Sequence, residues 1–131
     1  MKYTMENDRQ AVGRRGEDAA CRYLQVLGHT VLERNWRGSH LEIDIITLKL
    51  DELHIVEVKT RRAPVMAEPE ENVGKIKRDR LVRAANAFLH SQQKVQLPAS
   101  LEIFFDVVSV VLDGEQETVE YFPQAFIPIY V

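Results

Sequence analysis

The sequence predicts an α/β protein, a mixed β-sheet with helices packed on it in the order α-β-β-β-α-β-β. Three observations carry this. Apolar residues recur at helical spacing in two stretches, residues 13–28 and 73–92. Short apolar runs bounded by turn residues lie between and after them, as strands do. One run, LEIFFDVVSVVL at 101–112, is nearly continuous in apolar residues, which predicts a strand covered on both faces.

The elements follow in order. Residues 1–12 read as a flexible lead-in, and 13–131 as a single domain, a length that suits one core. The first helix runs through GRRGEDAACRYLQVLG, with Ala20, Leu24 and Leu27 on one face and Gly28 as its stop. TVLERNW is the first strand and RGSH a turn. LEIDIITL is the second strand, and LDE connects tightly to the third, HIVEVKT. Residues 61–72, RRAPVMAEPEEN, hold two prolines and an acidic cluster and read as a loop. The second helix, VGKIKRDRLVRAANAFLHSQ, is apolar at Val73, Ile76, Leu81, Ala84, Ala85, Phe88 and Leu89. After LEIFFDVVSVVL, the turn DGE leads to a last strand near TVEYF.

Composition narrows the function classes. Apolar residues make up 45% and charged residues 28% of 131, an ordinary globular mixture. No apolar run approaches the ~20 residues of a membrane helix. The polar start MKYTMENDRQ lacks an apolar signal region, and Cys21 has no partner for a disulfide or at zinc-ligand spacing, so a cytoplasmic location is expected. A net charge of −3 argues against a generically basic nucleic-acid binder. The charges are nevertheless segregated. Residues 59–83 carry eight basic side chains against four acidic ones, while 112–131 carry four acids and no base.

One constellation points to chemistry. Glu42, Asp44 and Ile46 share a face of the second strand, and Ile55, Glu57 and Lys59 share a face of the third. With Asp51 and Glu52 as the hairpin turn, Ile46 opposes Glu57 and Asp44 opposes Lys59, so Asp44, Glu57 and Lys59 converge. Any odd-sum register keeps them on one face. Two adjacent carboxylates repel, and partial burial makes ionising both costly. A hard divalent cation such as Mg²⁺ removes that cost, since it takes one or two carboxylates plus water and phosphate oxygens. A neighbouring lysine can hold the attacking water and stabilise phosphate charge, which suits phosphodiester hydrolysis. The plain alternative is an exposed face on which Lys59 forms cross-strand salt bridges.

Asp44 followed by EVK thirteen residues on resembles the D…(D/E)-x-K motif of the PD-(D/E)XK nuclease superfamily. Within it, the chain resembles the YraN-like family from about Gly13 to Val110. The resemblance rests on GRRGEDAA, LEIDIIT, VEVKTRR, KIKRDRLVRAANAFL and FDVVSV. It implies a restriction-endonuclease-like fold and metal-dependent cleavage of DNA, branched or damaged. Asp44 and Glu57 would ligate Mg²⁺ or Mn²⁺ with the Val58 carbonyl, Lys59 would be the catalytic lysine, and Glu17 a further acid at the active site. The likeness to Holliday-junction resolvases implies a homodimer. Two departures stand out. Ile43 occupies the place of the superfamily's proline, and SHLEID lacks the glycines usual before the Glu-Ile-Asp.

Other candidates complete the expectations. Glu17 shares a helix face with Ala20, Cys21 and Leu24; the plain alternative for it is an acid complementing the helix dipole. Arg61, Lys75, Lys77 and Arg78 are candidate phosphate contacts, with Lys75 and Lys77 placed near the cleft by the resemblance. Glu42 is either a supporting group or an exposed strand residue. Asp106 interrupts an apolar run and calls for a buried partner, an Arg or a backbone donor. His40 and His54 read as structural or exposed, and Trp36 and Tyr23 as core. The competing functional class is a non-catalytic nucleic-acid- or protein-binding module on the same fold. A purely structural partner subunit is a third.

Overall fold

A computed structural model describes residues 5–65, 74–91, 97–98 and 100–126. The elements are α1 (Met5–Val26), β1 (Thr30–Gly38), β2 (Leu41–Lys49), β3 (Glu52–Arg62), α2 (Lys75–Ser91), β4 (Glu102–Asp113) and β5 (Gln116–Phe126). This is the expected order. The five strands form one sheet in sequence order, with β3–β4 parallel and every other pair antiparallel. The parallel pair is joined through α2, as a crossover requires.

The helices cover opposite faces. On one, α1 buries Ala19, Ala20, Cys21 and Leu24 against Ile45, Val56, Val108, Val110 and Leu112. On the other, α2 buries Leu81, Ala84, Ala85 and Phe88 against Ile43, Ile46, Leu53, Ile55, Phe105 and Val107. Alternate β4 residues thus feed both cores, which is why its sequence is a continuous apolar run. Gly28, at φ 99°, ends α1: its N–H donates to the Gln25 carbonyl and that of His29 to Leu24. This closes the helix as a glycine in the left-handed region does.

Four expectations are corrected. Residues 5–12 are helical rather than a lead-in; Asp8 in that first part of α1 pairs with Arg62. Arg61 and Arg62 belong to β3, not to a loop, because β4 continues beside them to Leu112; residues 66–72 of that expected loop lie outside the described residues, as does Val73. Ile76 is 73% exposed, so the apolar stripe of α2 begins only at Leu81. The β2–β3 turn is Leu50–Asp51, with Lys49 opposite Glu52, Leu48 opposite Leu53 and Ile46 opposite Ile55. The register is therefore two residues from the expected one, and Asp44 does not oppose Lys59. Leu50 accepts φ 54° to make this turn.

Asp106 finds its partners in a buried network on the α1 face. Its carboxylate accepts from the Tyr121 hydroxyl (2.5 Å) and the Gln124 backbone N–H (2.9 Å), and pairs with His54 Nδ1 (2.5 Å). His54 Nε2 faces Glu52 at 2.9 Å. Both ring nitrogens face carboxylates, so both can donate only if the imidazole is protonated. Burial alone would lower the His54 pKa, but Asp106 and Glu52 outweigh it and hold it above the usual histidine value.

Candidate functional site

The site arises where two strands part. β2 and β3 pair only from Ile45–Val56 to the turn. Beyond that point β2 follows β1 to Leu41, while β3 follows β4 to Arg62. Asp44 and Glu57 stand at the fork. Opposite Asp44, Asn35 takes φ 52°, bracketed by the pairs Arg34–Ile45 and Trp36–Ile43. Asparagine tolerates this left-handed conformation better than most residues. The kink breaks alternation in β2, so that Ile43 and Ile46 both reach the α2 core while Ile45 reaches the α1 core.

Asp44 consequently does not stand on one face of a regular hairpin. Its Oδ2 accepts the Val58 backbone N–H at 2.8 Å, which places the carboxylate in the fork itself. β2 has left this part of β3, so without Asp44 that amide would have to turn to solvent in the cavity beside it.

Two cavities meet at Asp44. One, of about 490 Å³, lies on the α1 side and is lined by Asp8, Arg9, Glu17, Asp44, Val58, Thr60 and Arg61 among others. The second, of about 660 Å³, lies on the α2 side and includes His40, Glu42, Asp44, Glu57, Lys77, Arg80 and Arg83. Gly16 lets α1 approach β3 beside the first cavity. A Cβ there would stand 2.7 Å from Thr60 Cγ2 and 2.8 Å from Thr60 Cβ.

The electrostatics follow from this crowding. Burial, then the Glu57 charge, push the Asp44 carboxyl up from 3.8 to about 7; the Val58 N–H and Lys77 oppose the shift, and Glu17 adds to it. Burial raises Glu17 as well, partly offset by its hydrogen bond with Asn35 and by Arg34. Glu17 Oε1 is buried with no hydrogen-bond partner among the described residues. Glu57 is buried and pairs with the Lys77 ammonium.

Among the described residues no three His, Cys, Asp or Glu side chains converge into a ready-made metal group. The donors at the fork nevertheless fit a hard cation. Asp44 and Glu57 supply two mutually repelling carboxylates. The Val58 carbonyl points to the same side of β3 as the N–H that Asp44 accepts, as a strand residue's two backbone groups do. A cation that keeps several waters needs no larger protein set.

The expected site residues separate into groups. Glu17, Asp44 and Val58 line the α1-side cavity, and Asp44, Glu57, Glu42 and Lys77 the α2-side one. Lys59 is half-buried and turns to the Glu57 side by strand alternation, yet lines neither cavity. Arg61 lines the α1-side cavity, so it does not share a surface with Lys77. Lys75 is exposed and Arg78 half-buried, and neither lines the fork; the basic residues that do are Lys77, Arg80 and Arg83, each three apart on α2. Sequence reasoning missed Asn35, whose signal was a turn-prone residue inside a strand, and missed Lys77 as the partner of Glu57. His40 is exposed and His54 buried.

Fold and site thus define a mixed α/β protein whose sheet forks around two acidic residues. A family model described as an uncharacterised protein family, UPF0102, matches residues 16–110. The chain belongs to that family, the YraN-like group whose motifs it shares. It is similar to a UPF0102 protein of Bacteroides thetaiotaomicron, 39% identical over 117 residues, 89% of this chain and 93% of the relative. A UPF0102 protein of Pseudarthrobacter chlorophenolicus is 44% identical over 103 residues, 79% of this chain and 75% of that protein. One of Oleidesulfovibrio alaskensis is 44% identical over 104 residues, 79% of this chain; the match spans half of that longer relative. No described helix is long and apolar enough to cross a membrane.

Proposed function

We propose that this chain is a metal-dependent endonuclease that hydrolyses DNA phosphodiester bonds, with branched or damaged DNA as the substrate class. The observation that carries the reading is the fork, where Asp44 and Glu57 face one cavity and Asp44 is lifted to about 7 by burial and by Glu57. A pair of acids that repel in metal-free protein is a pair that gains by receiving a cation. Asp44, Glu57 and the Val58 carbonyl would hold Mg²⁺ or Mn²⁺. When bound, the ion would neutralise phosphate charge and lower the pKa of a water molecule.

The chain's own residues supply the rest. Lys59, on the Glu57 side of β3, would stabilise the phosphate oxygens as a water oxygen bonds to phosphorus and the ester oxygen leaves with a proton. Glu17, across the fork, would orient water through its unpartnered Oε1. Lys77, Arg80 and Arg83 would carry the DNA backbone along the α2-side cavity, with Arg61, Lys75 and Arg78 as flanking contacts. Two copies would suit paired cuts on two strands.

The second reading, a binding module without catalysis, is favoured by one observation: Lys59 lines neither cavity. Incubation with duplex, single-stranded, flap and four-way DNA in Mg²⁺ or Mn²⁺ separates the two. The nuclease reading expects cleavage of at least one substrate, lost by orders of magnitude in Asp44→Asn and Glu57→Gln. Binding of the same DNA without cleavage in either metal selects the module.

A further inference from the structure

Lys77 occupies an unusual place. The buried stripe of α2 runs through Leu81, Ala84 and Phe88. Four residues before Leu81, one turn back on that row, stands Lys77, where an apolar residue would continue the stripe. Its ammonium reaches Glu57, whose side chain is 10% exposed while that of Lys77 is 56% exposed. Residues 75–78 also place Lys75, Lys77 and Arg78 in the first turn of α2 with no acid among them. Cations at a helix N-terminus run against the dipole, so local helix stability does not explain them. A local rule broken beside a cleft marks a functional constraint.

We infer that Lys77 is an exchangeable internal counter-ion: it neutralises Glu57 in the metal-free protein and gives that carboxylate up to a divalent cation, after which its ammonium serves a DNA phosphate. The inference rests on the proposed function, since it takes Glu57 as a metal ligand. Its physical basis is competition. Glu57 is buried beside Asp44, and among the described residues the α2-side cavity is lined by the basic side chains of Lys77, Arg80 and Arg83. Of these, Lys77 is the one in contact with Glu57. A cation entering at Glu57 must displace that contact or share the carboxylate with it. Once displaced, the flexible, largely exposed lysine has the cavity mouth and solvent to move into. Metal uptake thereby converts a residue that neutralises the site into one that holds substrate, so the cleft gains its full positive charge only when the ion is present.

The test uses the full chain, Lys77→Met and Lys77→Arg. Titration calorimetry with Mn²⁺ alone reads the competition, and DNA binding over a salt series reads the release. Lys77→Met should bind Mn²⁺ about five-fold more tightly than wild type, the scale of a partly exposed ion pair, whereas Lys77→Arg should not. In Ca²⁺, used as a cation for binding assays, Lys77→Met should reduce the dependence of log affinity on log salt by about one phosphate contact. In EDTA, where Lys77 is held by Glu57, wild type and Lys77→Met should show the same slope. Equal Mn²⁺ affinity in wild type and Lys77→Met overturns the counter-ion role and leaves the nuclease reading standing. A wild type that takes up no Mn²⁺ overturns both. A salt slope reduced equally in EDTA and Ca²⁺ shows that Lys77 contacts phosphate without exchange and overturns the inference. Thermal melts of both variants exclude misfolding as the cause.

Discussion

Replacing Asp44 with Asn should stabilise the metal-free protein at high pH and hardly change it at low pH. The Asp44 carboxyl titrates near 7 in the folded chain against an ordinary 3.8. A carboxyl raised on folding favours the protonated native state, so its contribution is full below pH 4 and is lost as pH rises through 7. Over the whole window the loss is on the order of 4 kcal/mol at ~1.4 kcal/mol per pH unit. Between pH 5 and pH 8 linkage gives about 2.5 kcal/mol. Asn cannot ionise, and its side-chain oxygen can still accept the Val58 N–H. Urea unfolding in EDTA at pH 5 and pH 8 should therefore show Asp44→Asn gaining about 2.5 kcal/mol on wild type between the two. Mn²⁺ at a hundred times its dissociation constant should return about 2.7 kcal/mol to the wild type near pH 7.5 and little to the variant. A difference between the proteins that stays constant from pH 5 to 8 would refute the claim that burial and Glu57 repulsion define this site.

Three further outcomes follow from the geometry. Tyr121→Phe removes one donor from the buried Asp106 carboxylate and should cost about 1.5–3 kcal/mol in urea unfolding; an unchanged midpoint would mean that His54 and the Gln124 amide suffice. His40→Gly should stabilise by about 1 kcal/mol, because His40 holds φ 62° in the β1–β2 turn; a lower melting temperature would show that its side chain matters more than its backbone. Gly16→Ala should cost roughly 1–3 kcal/mol by forcing α1 off Thr60, and an unperturbed melt would mean that the helix shifts without strain.

Much of this architecture was legible in the sequence because the signals were local. Helical spacing and Gly28 located the later part and the end of α1, and the unbroken run at 101–112 announced a strand between two cores. Strand order brought Asp44 and Glu57 to neighbouring strands, but they meet at one cavity through the kink at Asn35 rather than through the hairpin register. The two-residue error in the turn had a physical source: Leu50 sits at positive φ, a conformation that an apolar residue does not advertise. The turn at Ser39 and His40 is the counterpart. Both take positive φ, 52° and 62°, which glycine adopts without strain, and SHLEID offers no glycine there. The fork was not legible, since β2 leaves β3 through a kink shared by Asn35 and Asp44 and only tertiary pairing reveals it. The sequence offers Lys77 as a phosphate contact near the cleft, but not as the partner of Glu57; its place on the row of Leu81 acquires meaning only once Glu57 lies beside it. Asp106 had advertised a need for partners but not their identity, which two strands supply, β3 through His54 and β5 through Tyr121 and Gln124.

The central claim is that Asp44 and Glu57 together receive one divalent cation. Crystals of the wild-type protein grown with Mn²⁺, with data collected to locate the metal by its anomalous scattering, test this most directly. A single strong peak is expected in the fork, within ligand distance of both carboxylates and the Val58 carbonyl, with the Lys77 ammonium no longer on Glu57. A fork without a peak at millimolar Mn²⁺, with Lys77 still paired to Glu57, would contradict it.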